Sequence, residues 1–472
     1  MMKPTFDQYL NNIFGTELPL FLNHSPVSDF IRINTMRSTA AQVTEILNHH
    51  GFRTEPVAGL NDCLRILYAP FDPTQCLHHF AGWFVKQSLS SQLPVHFMDI
   101  HPGQTIIDLC AAPGSKTTQI ATYMHNSGCL YANDLSGKRM TPLASRMDTC
   151  GVSHAVLYNK AAERLTQILP PIFDRVLADV PCTGLGHNDT LEENRNRYDQ
   201  AKNPSAQYQL QYRILLTGCR LLKVGGKIVY STCSLNPEED EAVVDELVQR
   251  YGFKLIEIPE IEGVHARPGI TQYQGKTFDS SLKNARKITP WENDTQGFFV
   301  AVLEKTNELP ERIQHFDPQT PVIEPKHWQD PDILPIIANF EQYYGINPEV
   351  FKDYHFILAN NKNAIYCIDA HWDKVICGYQ RAGIGLARRR GGIWRLSHTM
   401  IQQLSPFITK NKILLNDAQM REIAQTGDTT IPGITPQSPY PVIAHEQLGC
   451  IASGYDMQNN TIHWKRPCRY YF

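Results

Sequence analysis

From about residue 103 the chain alternates short apolar runs with stretches whose apolar residues recur at helical spacing. Thr105–Leu109, Cys129–Asn133, Ala155–Tyr158, Arg175–Val180 and Lys227–Thr232 are runs of four to six mostly apolar residues. Runs of that length suit strands buried on both faces. Between them the pattern predicts helices from Lys116, from Ser136, near Ala206–Leu222 and after Pro237. Such alternation is the signature of an open, mostly parallel α/β sheet. Two further apolar runs, Phe253–Ile258 and Phe298–Leu303, are expected to close it.

The flanks read differently. Phe30–Asn34 and Leu64–Tyr68 read as strands. Between them Ser38-Thr39 caps a helix carrying Val43, Ile46 and Leu47, which Gly51 ends. This is a small α+β unit. Residues 306–325 hold several prolines and no clear period, so they read as a linker. Beyond it, Ala364–Ile368, Val375–Tyr379 and Ile451–Gly454 are short strand-like runs separated by turns. The expected division is 1–95, 96–305, a linker at 306–325, and a separate β-rich unit at 326–472. No internal repeat or low-complexity block interrupts it.

Composition narrows the function classes. Hydrophobic residues make up 42% and charged residues 19%, which supports folded cores rather than disorder. A net charge of −3 excludes coating of nucleic acid by bulk charge, so any RNA binding must come from local patches. Twelve cysteines with no C-x-x-C pair exclude a disulfide scaffold and a zinc ribbon. The start lacks a signal-peptide core, and no run of about 18 apolar residues is present. The expectation is a reducing, cytoplasmic compartment with no membrane. His78-His79 has no second ligand cluster and reads as structural, so no metal is expected.

The first strand of the sheet runs into Ala111-Ala112-Pro113-Gly114-Ser115-Lys116-Thr117. A turn there opens a crevice at the carboxyl end of the strand, where open α/β sheets bind ligands. The free N–H groups of the following helix favour a carboxylate or phosphate. The loop is neither a G-x-G-x-x-G fingerprint nor a Walker A loop. Asp134 ends the second strand, where a carboxylate suits ribose hydroxyls. A plain turn with a helix cap fits the same residues, and the pattern alone does not choose.

Cys182 follows the fourth strand in Ala178-Asp179-Val180-Pro181-Cys182-Thr183-Gly184. Cys233 follows the fifth in Tyr230-Ser231-Thr232-Cys233-Ser234. Both fall at the carboxyl ends of adjacent strands, on the side of the loop. A lone cysteine is more often inert and buried. Two at matching strand ends beside a ligand loop point to chemistry. A thiolate added to C6 of a pyrimidine makes C5 able to take a methyl from a sulfonium donor. One cysteine can then be the nucleophile while the other assists release. Asp179 can hold the N3 and N4 edge of the base.

From about Arg32 to Lys305 the chain resembles the Sun/RsmF family of RNA (cytosine-5) methyltransferases. The matching blocks are Ala111 to Thr117, Asp179 to Gly184, Tyr230-Ser231-Thr232-Cys233-Ser234-Leu235-Asn236 and Gly297-Phe298-Phe299-Val300-Ala301. DNA cytosine methyltransferases take their nucleophile from Pro-Cys, this RNA family from Thr-Cys. The resemblance therefore implies Cys233 as nucleophile, Cys182 as release assistant, and S-adenosylmethionine at residues 111–117, Asp134 and Asp179. It implies a class I methyltransferase fold, Rossmann-like with a mostly parallel seven-stranded sheet. Arg381 to Ala387 and the closing Lys465-Arg466-Pro467-Cys468-Arg469 resemble the RsmF branch, whose end is PUA-like. The N-terminal segment, with Arg32-Ile33-Asn34-Thr35, resembles the family's small RNA-binding extension.

Three positions depart from the family pattern. Ala161 stands where an acid usually follows the third strand, with Asn159 and Lys160 as partial substitutes. Residues 185–193 replace a basic segment expected to face RNA. Asp240 stands in the place of an Asn.

Candidate RNA contacts are Arg388, Arg389 and Arg390 with Trp394-Arg395, and the end from His463 to Tyr471, including Lys465 and Arg466. Basic residues interleaved with aromatics suit phosphates and bases, though each run alone also fits a solvated turn. Lys138-Arg139 reads as a surface or cofactor-side pair. The leading expectation is a monomeric enzyme acting on ribosomal RNA or a small ribosomal particle, with transfer RNA as the alternative. A non-catalytic RNA-binding or ribosome-assembly factor is the reading from another class, and the pair of thiols argues against it.

Overall fold

The computed structural model describes residues 5–24, 27–186, 191–200, 204–309, 322–359, 362–372, 376–433, 439–457, 460–465 and 470–472. Most of the expected linker, part of the loop at 185–193, Val375, and Arg466 to Arg469 lie outside the described residues.

The N-terminal part opens with helix α1 (Phe6–Phe14), whose cap Thr5 forms a capping box with Gln8. Strand β1 (Phe30–Ile33) and helix α2 (Ala40–His49), capped by Thr39, match the sequence pattern. Strands β2 (Arg53–Val57), β3 (Leu60–Tyr68) and β4 (Phe84–Lys86) complete an antiparallel sheet of order β2-β3-β1-β4. The polar edge strand β2 has no strand-like alternation, so periodicity alone misses it.

Arg32, singled out as part of an RNA-binding extension, is fully buried. Its guanidinium donates to Gln87 Oε1 (2.9 Å) and to Thr118 Oγ1 (3.0 Å). Asn34 donates to the carbonyls of Gly82 (2.8 Å) and Cys150 (3.0 Å). These residues bolt the N-terminal unit to its neighbour rather than present it to a ligand.

The central part contains β5 (Thr105–Asp108), α3 (Ser115–Tyr123), β6 (Cys129–Asn133), α4 (Gly137–Cys150) and β7 (Ala155–Tyr158). Next come β8 (Phe173–Asp179), α5 (Pro204–Leu221), β9 (Leu222–Thr232) and α6 (Glu241–Tyr251). Strands β10 (Lys254–Ile256), β11 (Ala266–Pro268), β12 (Arg286–Ile288) and β13 (Phe298–Glu304) end it. Strands β5 to β9 pair in parallel, in the order β7-β6-β5-β8-β9. Strand β13 lies antiparallel on β9, and β10 antiparallel on β13. These seven are the expected sheet.

The whole sheet has ten strands. Two of the additions are β11 and β12, too short and too polar to show a period. Its two faces separate residues that adjoin in sequence. Ile107, Tyr131, Val156 and Val176 pack on one side, Ile106, Leu130, Ala155 and Leu177 on the other.

The C-terminal part holds an antiparallel sheet of β14 (Tyr354–Leu358), β15 (Ala364–Asp369), β17 (Ile384–Arg390) and β18 (Ile393–Leu396), in that order. A three-stranded sheet of Lys412–Leu415, Val442–His445 and Gly449–Ser453 accompanies it. This region is not separate from the centre. Strand β16 (Arg381–Ala382) pairs with β7 and is the tenth strand of the main sheet. Trp372 packs on Tyr131 with ring centroids 5.2 Å apart. At the other end, Tyr471 exchanges backbone hydrogen bonds with Gln75 and Leu77, both at 2.8 Å. Two-residue pairing across more than 200 positions of sequence leaves no local pattern to read.

Candidate active site

The chain passes from β5 outward to β6 and β7, then returns to β8 and β9 on the other side of β5. The switch point is therefore between β5 and β8, where a crevice is expected at the carboxyl ends. A cavity of about 430 Å³ opens there. It is lined by Asp108, Cys110 to Pro113, Ser115, Lys116 and Asp179, with residues 27–30, 86–88 and 91 of the N-terminal part and Gln296.

The loop after β5 is held from beneath. Ala111 N–H donates to the Asn133 carbonyl (2.7 Å) and Ala112 N–H to Asp134 Oδ2 (3.1 Å). Gly114 has φ +105°, and a Cβ there would lie 3.0 Å from Leu143. The turn into α3 therefore needs glycine. Thr117 points inward, and its hydroxyl donates to Asp108 Oδ2 at 2.7 Å. Burial pushes Asp108 up to about 7, opposed by that hydrogen bond and reinforced by nearby Asp179.

Asp134 is buried, and Oδ1 accepts from Ser136 N–H at 2.8 Å. Arg139 lies 3.6 Å from Oδ2 and also donates to the Ala112 carbonyl. Of the Lys138-Arg139 pair, Arg139 is thus on the cofactor side. Gly114, Thr117 and Asp134 support the cavity without lining it. Ala161 precedes a short 3₁₀ turn, Ala162–Gln167, and does not line the cavity either. Asn159 spends its amide on the carbonyls of Asp134 (2.7 Å) and Leu135 (3.0 Å).

Asp179 joins the cofactor side to the thiols. Oδ2 pairs with Lys116 Nζ at 2.8 Å, and Oδ1 accepts from Ser231 Oγ at 2.8 Å. Cys182 and Cys233 are both half-buried, and their thiols are close enough to act on each other electrostatically. The neighbouring Cys233 thiol, with burial, raises Cys182 well above the usual thiol value. Cys182 therefore stays a neutral thiol at physiological pH.

The sequence reading missed the carboxylate that unites the two cysteine turns. Glu239 is buried. Oε2 accepts from Thr183 N–H (2.9 Å) and Gln211 Nε2 (3.0 Å). Oε1 accepts from Thr183 Oγ1 (2.6 Å) and Ser234 Oγ (3.2 Å). Thr183 follows Cys182, and Ser234 follows Cys233. Tyr9 of α1 closes over the same place and accepts from Asn236 Nδ2 at 3.2 Å. The spacing of Phe6, Leu10 and Phe14 was the available signal for α1. At the neighbouring departure from the family pattern, Asp240 accepts from Thr232 Oγ1 (2.6 Å), and burial holds its carboxyl well above the usual value, opposed by Lys287 Nζ 3.5 Å away.

The loop at 185–193 starts inside the site. Gly186 N–H donates to the Cys233 carbonyl (2.8 Å) and Gly297 N–H to the Gly186 carbonyl (2.7 Å). The arginine run divides. Arg388 and Arg390 line a second cavity with Lys465, whereas Arg389 does not. Arg466 lies outside the described residues. Among the described residues, no three His, Cys, Asp or Glu side chains are grouped to hold a metal ion. No described helix is long and apolar enough to cross a membrane.

Comparison with known proteins agrees with this geometry. The family described as 16S rRNA methyltransferase RsmB/F matches residues 95–304. A tRNA (cytosine(49)-C(5))-methyltransferase of Pyrococcus abyssi is 31% identical over 288 residues, covering 60% of this chain and 89% of that one. The chain belongs to the Sun/RsmF family of RNA (cytosine-5) methyltransferases. A ribosomal RNA small subunit methyltransferase F of a Shewanella species is 28% identical over 428 residues, covering 86% of this chain and 83% of that one. The match to this Sun/RsmF relative therefore runs beyond residue 304. A solved methyltransferase homologue from Pyrococcus horikoshii superposes with a TM-score of 0.55 at 28% identity, covering 64% of this chain and 94% of that one. The chain spans less than half the length of the larger curated family members that it matches.

Proposed function

We propose that this chain transfers a methyl group to C5 of a cytosine in RNA, with ribosomal RNA as the substrate class. The observation that carries this reading is the pair of neighbouring thiols, Cys182 and Cys233, at the ends of the two strands that Asp179 and Ser231 link beside the cofactor crevice. The long match to the Shewanella small-subunit enzyme supports ribosomal RNA.

The crevice fits S-adenosylmethionine. Its volume is within the usual range for small-molecule sites, and it joins carboxylates, a lysine and the start of a helix. S-adenosylmethionine, when bound, supplies the methyl group as an electrophile. Ala111 to Thr117 are the proposed cradle, with Asp134 for the ribose. Arg139 must then move off the Asp134 carboxylate.

Cys233 adds to C6 of the target base, forming the sulfur–carbon bond and shifting an electron pair to C5. Once C5 carries the methyl, its proton passes to water, the electron pair of that C–H bond restores the C5–C6 double bond, and the Cys233 sulfur leaves as a thiolate. Cys182, a neutral thiol beside Cys233, assists that release by giving its proton to the departing sulfur. Asp179, oriented by Lys116 and Ser231, holds the N3 and N4 edge of the base. The target base must leave its stack to reach the thiol. Residues 1–95 and the PUA-like residues 326–472 hold the surrounding RNA, with Arg388, Arg390, Lys465 and Arg466 as contacts. The same reading makes the chain a monomeric cytoplasmic enzyme that needs no metal ion.

The test is transfer of labelled methyl to total cellular RNA, split into ribosomal and transfer fractions. Label in 5-methylcytosine of the ribosomal fraction, lost in Cys233→Ala with RNA binding retained, is the expected result. Cys182→Ala should accumulate a covalent protein–RNA adduct. Label in the transfer fraction alone would change the substrate. Normal turnover of Cys182→Ala without adduct would overturn its role.

A further inference from the structure

We propose that the second cavity, between β17, β18 and the end of α4, is a separate site for the phosphodiester backbone of single-stranded RNA, away from the target cytosine. The inference rests on the reading of the chain as an RNA-binding enzyme and adds the place and chemistry of a second grip.

The cavity measures about 420 Å³. Arg381, Arg388, Arg390, Arg395 and Lys465 line it, and Asp148 is the one acid among the described lining residues. Arg381 is already paired with Asp148 (Nη1 to Oδ2, 3.0 Å). Four cations remain around one concavity, in a chain whose net charge is −3. A concave cluster of one sign focuses the field and attracts phosphate.

Strand geometry explains the selection. Side chains alternate across a strand, so Arg388 and Arg390 share a face and Arg389 takes the other. Arg395 on β18 lies directly across from Arg388. It is held in place before any ligand arrives. Its guanidinium carbon lies 4.1 Å from the Tyr440 ring centroid and 4.7 Å from that of Tyr455. Its Nη1 donates to Tyr455 Oη and its Nη2 to Ser453 Oγ, both at 3.2 Å. A guanidinium fixed on aromatic faces loses little entropy on gripping a phosphate. The Tyr455 phenol is lowered by the Arg395 hydrogen bond, with Arg390 and Lys465 adding to the positive field.

The position makes this a second site. Helix α4 carries Arg139, which touches the cofactor loop, and Asp148, which lines the cavity. The two are nine residues apart, about 14 Å along the helix axis. A phosphate held here belongs to a different nucleotide from the one at the thiols.

The test uses the full chain carrying Cys233→Ala, so that binding is read without turnover. A fluorescein-labelled single-stranded oligoribonucleotide is titrated at several salt concentrations. Arg388→Ala/Arg390→Ala should weaken binding and flatten the slope of log affinity against log salt by about 1.4, two phosphate contacts on a single strand. Arg389→Ala, on the opposite face, should leave the slope unchanged. An unaltered slope in the double variant overturns the proposal. An equal loss in Arg389→Ala also overturns it, by reducing the effect to surface charge. Methyl transfer by the chain with Cys233 restored is measured in parallel. RNA binding through the cavity without any transfer would leave this site standing and remove the catalytic reading.

Discussion

Asp108 ends a central strand, 1% exposed, with one oxygen held by the Thr117 hydroxyl. In the folded chain it titrates at about 7 instead of 3.8, chiefly because burial penalises the charged form. Below pH 3.8 it is protonated folded or unfolded. Between 3.8 and about 7 the unfolded chain loses this proton while the folded chain keeps it. Its contribution to stability is therefore full at low pH and lost as pH rises through about 7. The measurement is the urea midpoint of wild type and Asp108→Asn from pH 5 to pH 8. The variant should gain on wild type from pH 5 to about 7, by up to one proton of slope, and hold that gain above it. A constant difference would mean that Asp108 is charged throughout. The value near 7 also puts a titrating carboxyl in the wall of the cofactor crevice.

At the scale of elements, the site depends on two turns from adjacent strands being held in register. Glu239 does this from the turn just before α6, taking five donors onto its two oxygens. Glutamine at that position turns one acceptor into a donor facing donors. A buried mismatch of this kind costs about 1–3 kcal/mol. Glu239→Gln should lower turnover by about tenfold or more while cofactor affinity stays within about twofold, since a tenfold rate change needs only about 1.4 kcal/mol. Calorimetric titration of the cofactor beside single-turnover kinetics checks this. Parallel loss of cofactor affinity would show that Glu239 supports the whole fold rather than the spacing of the thiols. Arg32 plays the equivalent part between elements further away, joining β1 to α3 through Gln87 and Thr118. Arg32, within the segment that resembles an RNA-binding extension, is thus itself spent on internal architecture, because its guanidinium has buried partners.

At the scale of the whole molecule, three regions close on one another. The β16 strand completes the main sheet from a distant part of the chain, and Trp372 buries its ring against Tyr131. The last residues return to the N-terminal part at Gln75 and Leu77. Contacts of this kind couple the regions, so scanning calorimetry of the intact chain should give one transition. Two resolved transitions would mean that the region after residue 326 unfolds by itself. The coupling also fixes the second cavity relative to the cofactor loop, because both touch α4.

The alternating core of the sheet, the loop at 111–117 and the two cysteines at strand ends are legible along the chain. Each of these is local. Buried parallel strands are continuous apolar runs, and a turn after a strand has to fall at its carboxyl end. The positions of Cys182 and Cys233 followed from strand order alone. Only the tertiary structure decided what was non-local. It turned Arg32 inward, put Glu239 between the two turns, covered Asp134 with Arg139, and separated Arg389 from Arg388 and Arg390. It also gave the sheet its tenth strand. A side chain's partners come from residues tens to hundreds of positions away, and periodicity carries no record of them. What can be read along the chain is which face a residue prefers; what that face meets is set by how the layers pack.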